Sequence, residues 1–418
     1  MVKVLVVGSG GREHTLVWKI AQSPKVDQIY SAPGNPGMKN IATCVNISVD
    51  DIKGLADFAE ENSVDLTLVG PEAPLVAGIV DEFENRGLDI FGPGKEAAQI
   101  EGSKVFSKNL MKKYKIPTGD YRVFEKAQDA IDYINISDVP LVVKAEGLAA
   151  GKGVIIAQDR DEAKAAVESI MIDRAFGKSG NRIIIEEYLE GPEVTVLAFC
   201  DGKVAVPMVS SRDHKRIFDD NKGPNTGGMG AVSPAPAYSA ELSEVVEKNI
   251  IQRTVNAMAN EGKPFKGILY TGLMLTKAGP KVLEYNCRFG DPETQVVIPR
   301  LKTDLIDIVK AVIKGNLIHT EIEWKEETAV CVVMASDGYP GHYEIGKPIK
   351  GLEEAEQKGS IVFHAGTAVK NDAIVTSGGR VLGVTALGKE IHDARQKAYE
   401  AISQIHFEGM HYRKDIGQ

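Results

Sequence analysis

Long apolar runs are what this sequence most plainly lacks. Nothing in its 418 residues approaches the roughly 20 consecutive apolar residues that cross a bilayer, so no membrane partner is expected. Cysteine is scarce too: Cys44, Cys200, Cys287 and Cys331 lie far apart and form no CxxC pair, so neither a zinc site nor a disulfide framework is suggested. The start, Met1-Val2-Lys3-Val4-Leu5-Val6-Val7-Gly8, has too short an apolar run for a secretory leader and opens directly into glycines and Arg12-Glu13. The cytoplasm is the expected compartment. Positive charge is not in excess either. A formal net charge of −9 argues against nucleic acid or an anionic membrane held by bulk electrostatics. Anions would have to be held by local cation clusters and backbone amides.

What is present is an ordinary globular composition, 43% apolar and 26% charged, at a length that implies two to four domains. Residues 3–7 form a buried-type strand, followed by Gly8-Ser9-Gly10-Gly11-Arg12-Glu13-His14 and an amphipathic segment to residue 22. Strand patterns at 28–32, 65–69 and 89–91 alternate with helical ones at 51–61 and 74–86, which predicts a parallel, doubly wound sheet. Ligands gather at the carboxyl ends of such strands, where this chain carries glycine- and proline-rich loops at 8–14, 33–37, 70–74 and 92–94. A dinucleotide fingerprint is excluded because Glu13 stands where its third glycine belongs. One phosphate at the helix N-terminus, approached through Gly10 and Gly11, fits better; a bare tight turn is the alternative.

Residues 103–115 read as a helix with Ser103 as N-cap, and its lysines, Lys104 included, read as a solvated face. A strand at 140–144 leads through Ala145-Glu146-Gly147-Leu148-Ala149-Ala150-Gly151-Lys152-Gly153 into a second strand at 154–157. The pair suits a flap over phosphates, with Lys144 and Lys152 adding charge, or a plain surface hairpin. A P-loop is excluded, since Gly153 replaces the Ser or Thr that must follow Lys152. The strand at 182–189 ends in Glu186 and Glu187, and Glu193 opens the next strand within reach of ribose hydroxyls. Residues 207–236, with Asp213-His214-Lys215-Arg216 and Gly223–Gly230, show no helix or strand and read as an ordered substrate loop. A helix at 240–260 and strands at 268–276 and 281–287 follow. From 328 a small α+β domain is expected, in which Gly378-Gly379-Arg380 reads as a turn.

Glu284 and Asn286 are two apart in the last of those central strands, so both face the same way. A carboxylate and an amide oxygen side by side suit Mg²⁺, and Arg288 continues the alternation with a cation for phosphate or carboxylate. A charged strand end reads equally well from these residues alone.

Taken in order, Gly-Ser-Gly-Gly-Arg-Glu-His, Pro33-Gly34-Asn35, Gly70-Pro71-Glu72-Ala73-Pro74-Leu75, 145–153, Asp213-His214-Lys215-Arg216, 223–230 and 286–293 resemble the glycinamide ribonucleotide synthetase family of ATP-grasp ligases. The likeness runs to Arg413-Lys414-Asp415-Ile416-Gly417 and matches the monofunctional form. It implies an α/β and α+β multidomain fold: a doubly wound domain over 1–102, an ATP-grasp core over 103–327 with a lid at about 123–190, and a C-terminal α+β domain over 328–418. It implies ATP-dependent ligation of glycine to 5-phosphoribosylamine through glycyl phosphate, with Mg²⁺ or Mn²⁺, by a monomer or weak dimer. By position, Lys104 and Lys144 resemble the lysines that reach the nucleotide phosphates, and the loop with Gly151, Lys152 and Gly153 the phosphate flap. Glu186 and Leu189, with Glu187 between them, resemble the adenine-edge residues, acting mainly through backbone, and Glu193 the ribose acceptor. Glu284 and Asn286 look like metal ligands. Gly10, Gly11, Asn35 and Glu72 resemble contacts to phosphoribosylamine; Asp213, Lys215 and Arg288 resemble groups around glycine and its acyl phosphate. Two features depart from the pattern. Leu269–Leu275 lacks the second metal carboxylate of many ATP-grasp enzymes, and Glu146 replaces an expected Asp. The rival reading is another ATP-grasp ligase or a carboxylase of purine metabolism.

Overall fold

The computed structural model describes residues 1–148 and 153–418. The N-terminal unit runs β1 (Val2–Gly8), α1 (Gly11–Ile20), β2 (Val26–Pro33), β3 (Thr43–Cys44), α2 (Ile52–Glu61), β4 (Leu66–Val69), α3 (Glu72–Ala77), α4 (Ile79–Asn85), β5 (Ile90–Phe91) and α5 (Lys95–Gly102). Its five strands are all parallel, in the order β3-β2-β1-β4-β5. β1 is apolar on both faces because helices cover both sides of a parallel sheet. The single helix expected over 74–86 is two. Gly78, at φ 101°, ends α3 in the left-handed region and starts α4. The order of strand addition reverses between β1 and β4, so the loops after them face one crevice.

The lid is an antiparallel sheet, β6-β9-β7-β8, built from β6 (Tyr121–Phe124), β7 (Leu141–Ala145), β8 (Val154–Ala157) and β9 (Ile183–Glu187). Helices α7 (Ala127–Ile136) and α8 (Arg160–Val167) cover it with their own small core around Ile134, Val143, Val167 and Ile185. Helix α6 (Lys104–Lys113) leads in, and Ser103 caps it by accepting the Phe106 N–H at 3.1 Å. Below the lid, β10 (Glu193–Asp201), β11 (Ala205–Pro207), β16 (Lys266–Thr276) and β17 (Gly279–Asn286) form a second antiparallel sheet, β11-β10-β16-β17. Helices α9 (Ala240–Val246) and α10 (Gln252–Asn260), joined by a π-helical turn, pack on it.

Residues 207–236, expected to carry no regular structure, fold into four short strands: β12 (Arg212–Asp213), β13 (Arg216–Phe218), β14 (Lys222–Asn225) and β15 (Gly230–Ser233). None is long enough to show alternation, so the sequence hides them. β15 pairs along β18 (Thr328–Ser336), which places β12 and β15 in the sheet of the last unit, β12-β15-β18-β22-β19. Helices α11 (Thr294–Val297) and α12 (Leu305–Lys314) bridge to that unit. It contains α13 (Leu352–Glu356), β19 (Ile361–His364), the hairpin β20 (Thr367–Lys370) and β21 (Ala373–Thr376), β22 (Arg380–Gly388), α14 (Ile391–Ile402) and β23 (Met410–His411). No helix among the described residues is long and apolar enough to cross a membrane.

Candidate active site

At the switch point, Gly10 donates its N–H to Glu13 Oε2 at 2.6 Å, and the same carboxylate accepts from Arg12 Nε at 2.5 Å. Glu13, which excluded a dinucleotide fingerprint, is therefore the helix's own cap. Asp291 faces the Arg12 amide one turn further in; burial works against its charge, but Arg380 and Arg12 hold its carboxyl below the usual range. Gly11 is packed so closely that a Cβ there would come within 2.7 Å of Gln295 Nε2. Asn35 spends both amide hydrogens on the carbonyls of Ser9 (2.8 Å) and His364 (2.9 Å), and its Oδ1 accepts the Gly37 N–H. Its side chain ties the first unit to the last. What Asn35 offers a ligand is the placement of its loop.

Arg288 reaches from the end of β17 back to the same crevice. Its Nε donates to Glu72 Oε2 at 3.2 Å and a terminal nitrogen lies 3.2 Å from Glu101 Oε1. Glu101 is almost fully buried and also accepts the Cys287 N–H at 2.7 Å. Burial raises its pKa against the pull of Arg288. For Glu72 burial pushes the same way, but Arg288 and Arg12 outweigh it and the pKa falls. One guanidinium thus ties the end of the floor strand to the start of α3 after β4 and to the end of α5.

Glu284 lies at the centre. No hydrogen bond or ion pair among the described residues engages its carboxylate. Burial would raise its pKa, but Lys215, Lys144, Lys104 and Arg288 surround it and hold it below the usual carboxylate value. Asn286, two residues on, shares that face of the strand. The four cations come from four places: α6, β7, the β12–β13 connection and the end of β17. Lys104 Nζ donates to the Gly147 carbonyl at 3.0 Å; burial lowers its pKa although Glu284 opposes that. Lys144 pairs with Glu186 at 3.0 Å and reaches the Leu283 carbonyl at 3.3 Å. Lys215 pairs with Glu193 at 2.9 Å, so the expected ribose acceptor and an expected glycine-side cation are here bound to each other. Burial opposes the charge of Lys215, yet Glu193, Tyr270 and Glu284 raise its pKa well above normal.

On the far side of Lys215, Asp213 Oδ1 is buried and has no hydrogen-bond partner among the described residues. Burial first, then the charge of Glu293, push the Asp213 carboxyl well above its ordinary value. Glu293 is itself buried and accepts from Tyr270 Oη at 2.9 Å and Thr195 Oγ1 at 3.3 Å. Gly228, at φ 112°, passes so close that a Cβ would sit 2.6 Å from Asp213 Oδ1. Only glycine fits there.

The side chain of Glu186 is already committed within the protein. The carboxylate is buried between Lys144 and Lys108, which lies 2.8 Å from its other oxygen. Glu187 instead points outward to Lys281, and its N–H donates to the Asp120 carbonyl at 2.9 Å. Leu189 lies two residues beyond the end of β9, and Gly153 begins the return into β8, where its carbonyl accepts the Ala145 N–H. Gly151 and Lys152 lie outside the described residues. Lys108, Glu101, Glu293, Tyr270 and Arg380 were not singled out from sequence. Of these only Lys108 carried a signal, its position one helical turn from Lys104.

An antiparallel lid over an antiparallel floor, with cations from the lid and its surroundings gathered on one floor-strand carboxylate, is the architecture of ATP-grasp ligases, ATP-using enzymes of which this chain is one. Models for phosphoribosylglycinamide synthetase match it in three pieces: the N domain on residues 2–101, the ATP-grasp (A) domain on 102–294 and the C domain on 329–418. The phosphoribosylamine–glycine ligase of Caldanaerobacter subterraneus subsp. tengcongensis is 51% identical over 415 residues, covering 99% of each chain. That of Halalkalibacterium halodurans is 51% identical over 417 residues, covering 100% of this chain and 96% of the other. A crystal structure of the Thermotoga maritima phosphoribosylamine–glycine ligase superposes with a TM-score of 0.86 at 34% identity, covering 99% of this chain and 100% of that one. The chain belongs to the phosphoribosylglycinamide synthetase family.

Proposed function

We propose that this site ligates glycine to 5-phosphoribosylamine with cleavage of ATP, through a glycyl phosphate formed beside Glu284. The observation that carries the reading is the set of four cations around that one uncommitted carboxylate. A glycine carboxylate oxygen attacks the γ-phosphorus of ATP, the bond to the β-phosphate oxygen breaks, and ADP leaves. The amine of phosphoribosylamine then attacks the acyl carbon, phosphate departs, and the amine proton is lost to give the amide, glycinamide ribonucleotide. The attacking carboxylate is already ionised, so the first step needs no general base; its barrier falls through alignment and charge neutralisation.

Lys104 and Lys144 hold the nucleotide phosphates, and Lys215 and Arg288 face the transferring group. Asp213, with an unpartnered buried oxygen, accepts the glycine ammonium. Glu193 serves the ribose once Lys215 turns to the phosphoryl group, while Glu187 and Leu189 line the adenine edge beside Glu186. Gly10, Gly11, Asn35 and Glu72 shape the crevice for phosphoribosylamine. Glu284 and Asn286 fit Mg²⁺ or Mn²⁺: their oxygens share one strand face, and one or two carboxylates plus substrate phosphates is the usual protein share of a magnesium site. When bound, the ion neutralises charge on the transferring phosphoryl group. The units 1–102, 103–327 and 328–418 act as crevice, nucleotide clamp and closing wall. A coupled assay of ADP release tests the reading. Turnover should require glycine and phosphoribosylamine together, and turnover driven by bicarbonate instead would refute it.

A further inference from the structure

We propose that Arg380, supported by Tyr339, is the positioning residue through which the C-terminal unit sets the amino-acid side of the site. Arg380 opens β22, just after Gly378-Gly379. One terminal nitrogen donates to the Gly227 carbonyl at 2.6 Å and to the Asp291 carbonyl at 2.8 Å, and lies 3.4 Å from Asp291 Oδ1. Tyr339 takes the opposite side of the same residue, since its hydroxyl accepts the Gly227 N–H at 3.0 Å. Gly227 is thus gripped at both backbone polar groups by side chains from another unit. A Cβ at that residue would lie 3.0 Å from the guanidinium carbon, so a side chain there would crowd the grip.

The consequence reaches Asp213 by a short path. Thr226 donates both its N–H (2.8 Å) and its hydroxyl (2.7 Å) to the Lys215 carbonyl, and Met229 donates its N–H to the His214 carbonyl. Gly228 lies between them, against the unpartnered Asp213 oxygen and Pro292. Moving Gly227 therefore moves the segment from β12 into β13 that carries Asp213 and Lys215. Asp291, the other group Arg380 holds, faces the N-terminus of α1. One guanidinium joins the 226–230 loop, the 284–294 stretch and the switch-point helix, while Lys104, Lys144 and the lid lie outside these contacts. Loss of Arg380 should loosen the glycine side and spare the nucleotide side. This rests on Asp213 serving glycine, as proposed above.

The test is steady-state ADP release, varying glycine and ATP separately. Arg380→Ala should raise the KM for glycine at least tenfold while the KM for ATP stays within twofold. Arg380→Lys keeps the charge beside Asp291 and should recover at least threefold of that loss. Tyr339→Phe removes only the acceptor of the Gly227 N–H and should raise the glycine KM two- to threefold with an unchanged thermal midpoint. A glycine KM within twofold of wild type in Arg380→Ala, or a parallel rise in both KM values, overturns the proposal. If Arg380→Ala does not fold, Arg380→Lys and Tyr339→Phe decide: both unmoved overturns it, and a selective glycine effect in either supports it. A wild type whose ADP release ignores glycine would overturn the reaction itself. A glycine-dependent wild type with unmoved variants overturns only the role of Arg380.

Discussion

Glu186→Gln is the most informative single change outside the reacting groups. It replaces a carboxylate that is only 5% exposed, held between Lys108 at 2.8 Å and Lys144 at 3.0 Å. Shape and volume are nearly kept, but two buried ammonium groups lose their shared counter-charge. Breaking one side of a buried ion pair costs about 3–5 kcal/mol, because the remaining charge is desolvated without compensation. Lys108→Met should cost less, about 1–3 kcal/mol, since Glu186 keeps Lys144. The double variant should recover at least about 1 kcal/mol relative to Glu186→Gln, since one of the two orphaned cations is gone. Urea unfolding followed by far-UV circular dichroism measures all three. The pH dependence has a fixed sign. Burial raises the Glu186 pKa, but Lys144 and Lys108 bring it below its unfolded value of 4.5, so its contribution is complete above that pH and lost as pH falls through the folded value. The wild-type and Glu186→Gln curves should converge in acid. A loss under about 1 kcal/mol at neutral pH, or a Lys108→Met variant less stable than Glu186→Gln, would refute the charge argument. Function should follow, because Lys144 loses the group that orients it toward phosphate, and the KM for ATP should rise.

Three further outcomes can be checked directly. Glu284→Ala should lower glycine-dependent ADP release by about 10²–10³ and leave the far-UV spectrum intact, because the residue faces four cations rather than core; near-normal rates at moderate Mg²⁺ would contradict the assignment. Gly228→Ala should destabilise by about 1–3 kcal/mol and weaken glycine binding, since φ 112° is strained for a side chain and the Cβ would meet Pro292 Cδ at 2.4 Å; calorimetry with glycine titration reads both effects. Asp415→Asn should cost about 2 kcal/mol. Burial opposes its charge, yet its pair with the fully buried Arg413 takes its pKa to about 2 from 3.8, so the difference from wild type should be full above about pH 4 and vanish as pH falls toward 2 in denaturation curves.

Loops that follow strands were legible because glycine and proline mark them locally. Gly8–His14 and Gly70–Pro74 could be set at one sheet edge from order alone, and Glu284 with Asn286 could be set on one strand face from spacing of two. Contacts made across long sequence separations left no such mark. Arg288 meets Glu72 from 216 residues away and Asn35 meets the His364 carbonyl from 329 away, and nothing in either neighbourhood names the partner. The same limit hid β12 and β15. Each is short, and each exists as a strand because another segment supplies the ladder: β18 pairs with β15, and β15 with β12. Lys108 differed again. Its spacing one turn from Lys104 was visible, but four lysines on a ten-residue helix read as solvated, and its burial against Glu186 was not legible.

The long-range contacts explain how an acidic protein can hold a polyanion. With a net charge of −9, the surface as a whole repels nucleotide phosphates, and a diffuse basic patch would be screened by salt within about 8 Å. Here the cations are drawn inward from separate elements, and most are matched to a specific partner: Lys144 to Glu186, Lys215 to Glu193, Arg288 to Glu72 and Glu101. Lys104 instead rests on a neutral carbonyl of the flap. Such pairs keep buried cations charged without leaving them unsatisfied. A phosphate entering beside Glu284 exchanges an internal anion for a substrate one at each cation it takes, so the work of gathering like charges is done at folding rather than at binding. On the proposed reading, Glu193, released by Lys215 in that exchange, would be free to accept from the ribose. On that reading, the same substitution would leave Asp213, whose Oδ1 has no hydrogen-bond partner among the described residues, as the carboxyl group best placed for an incoming ammonium.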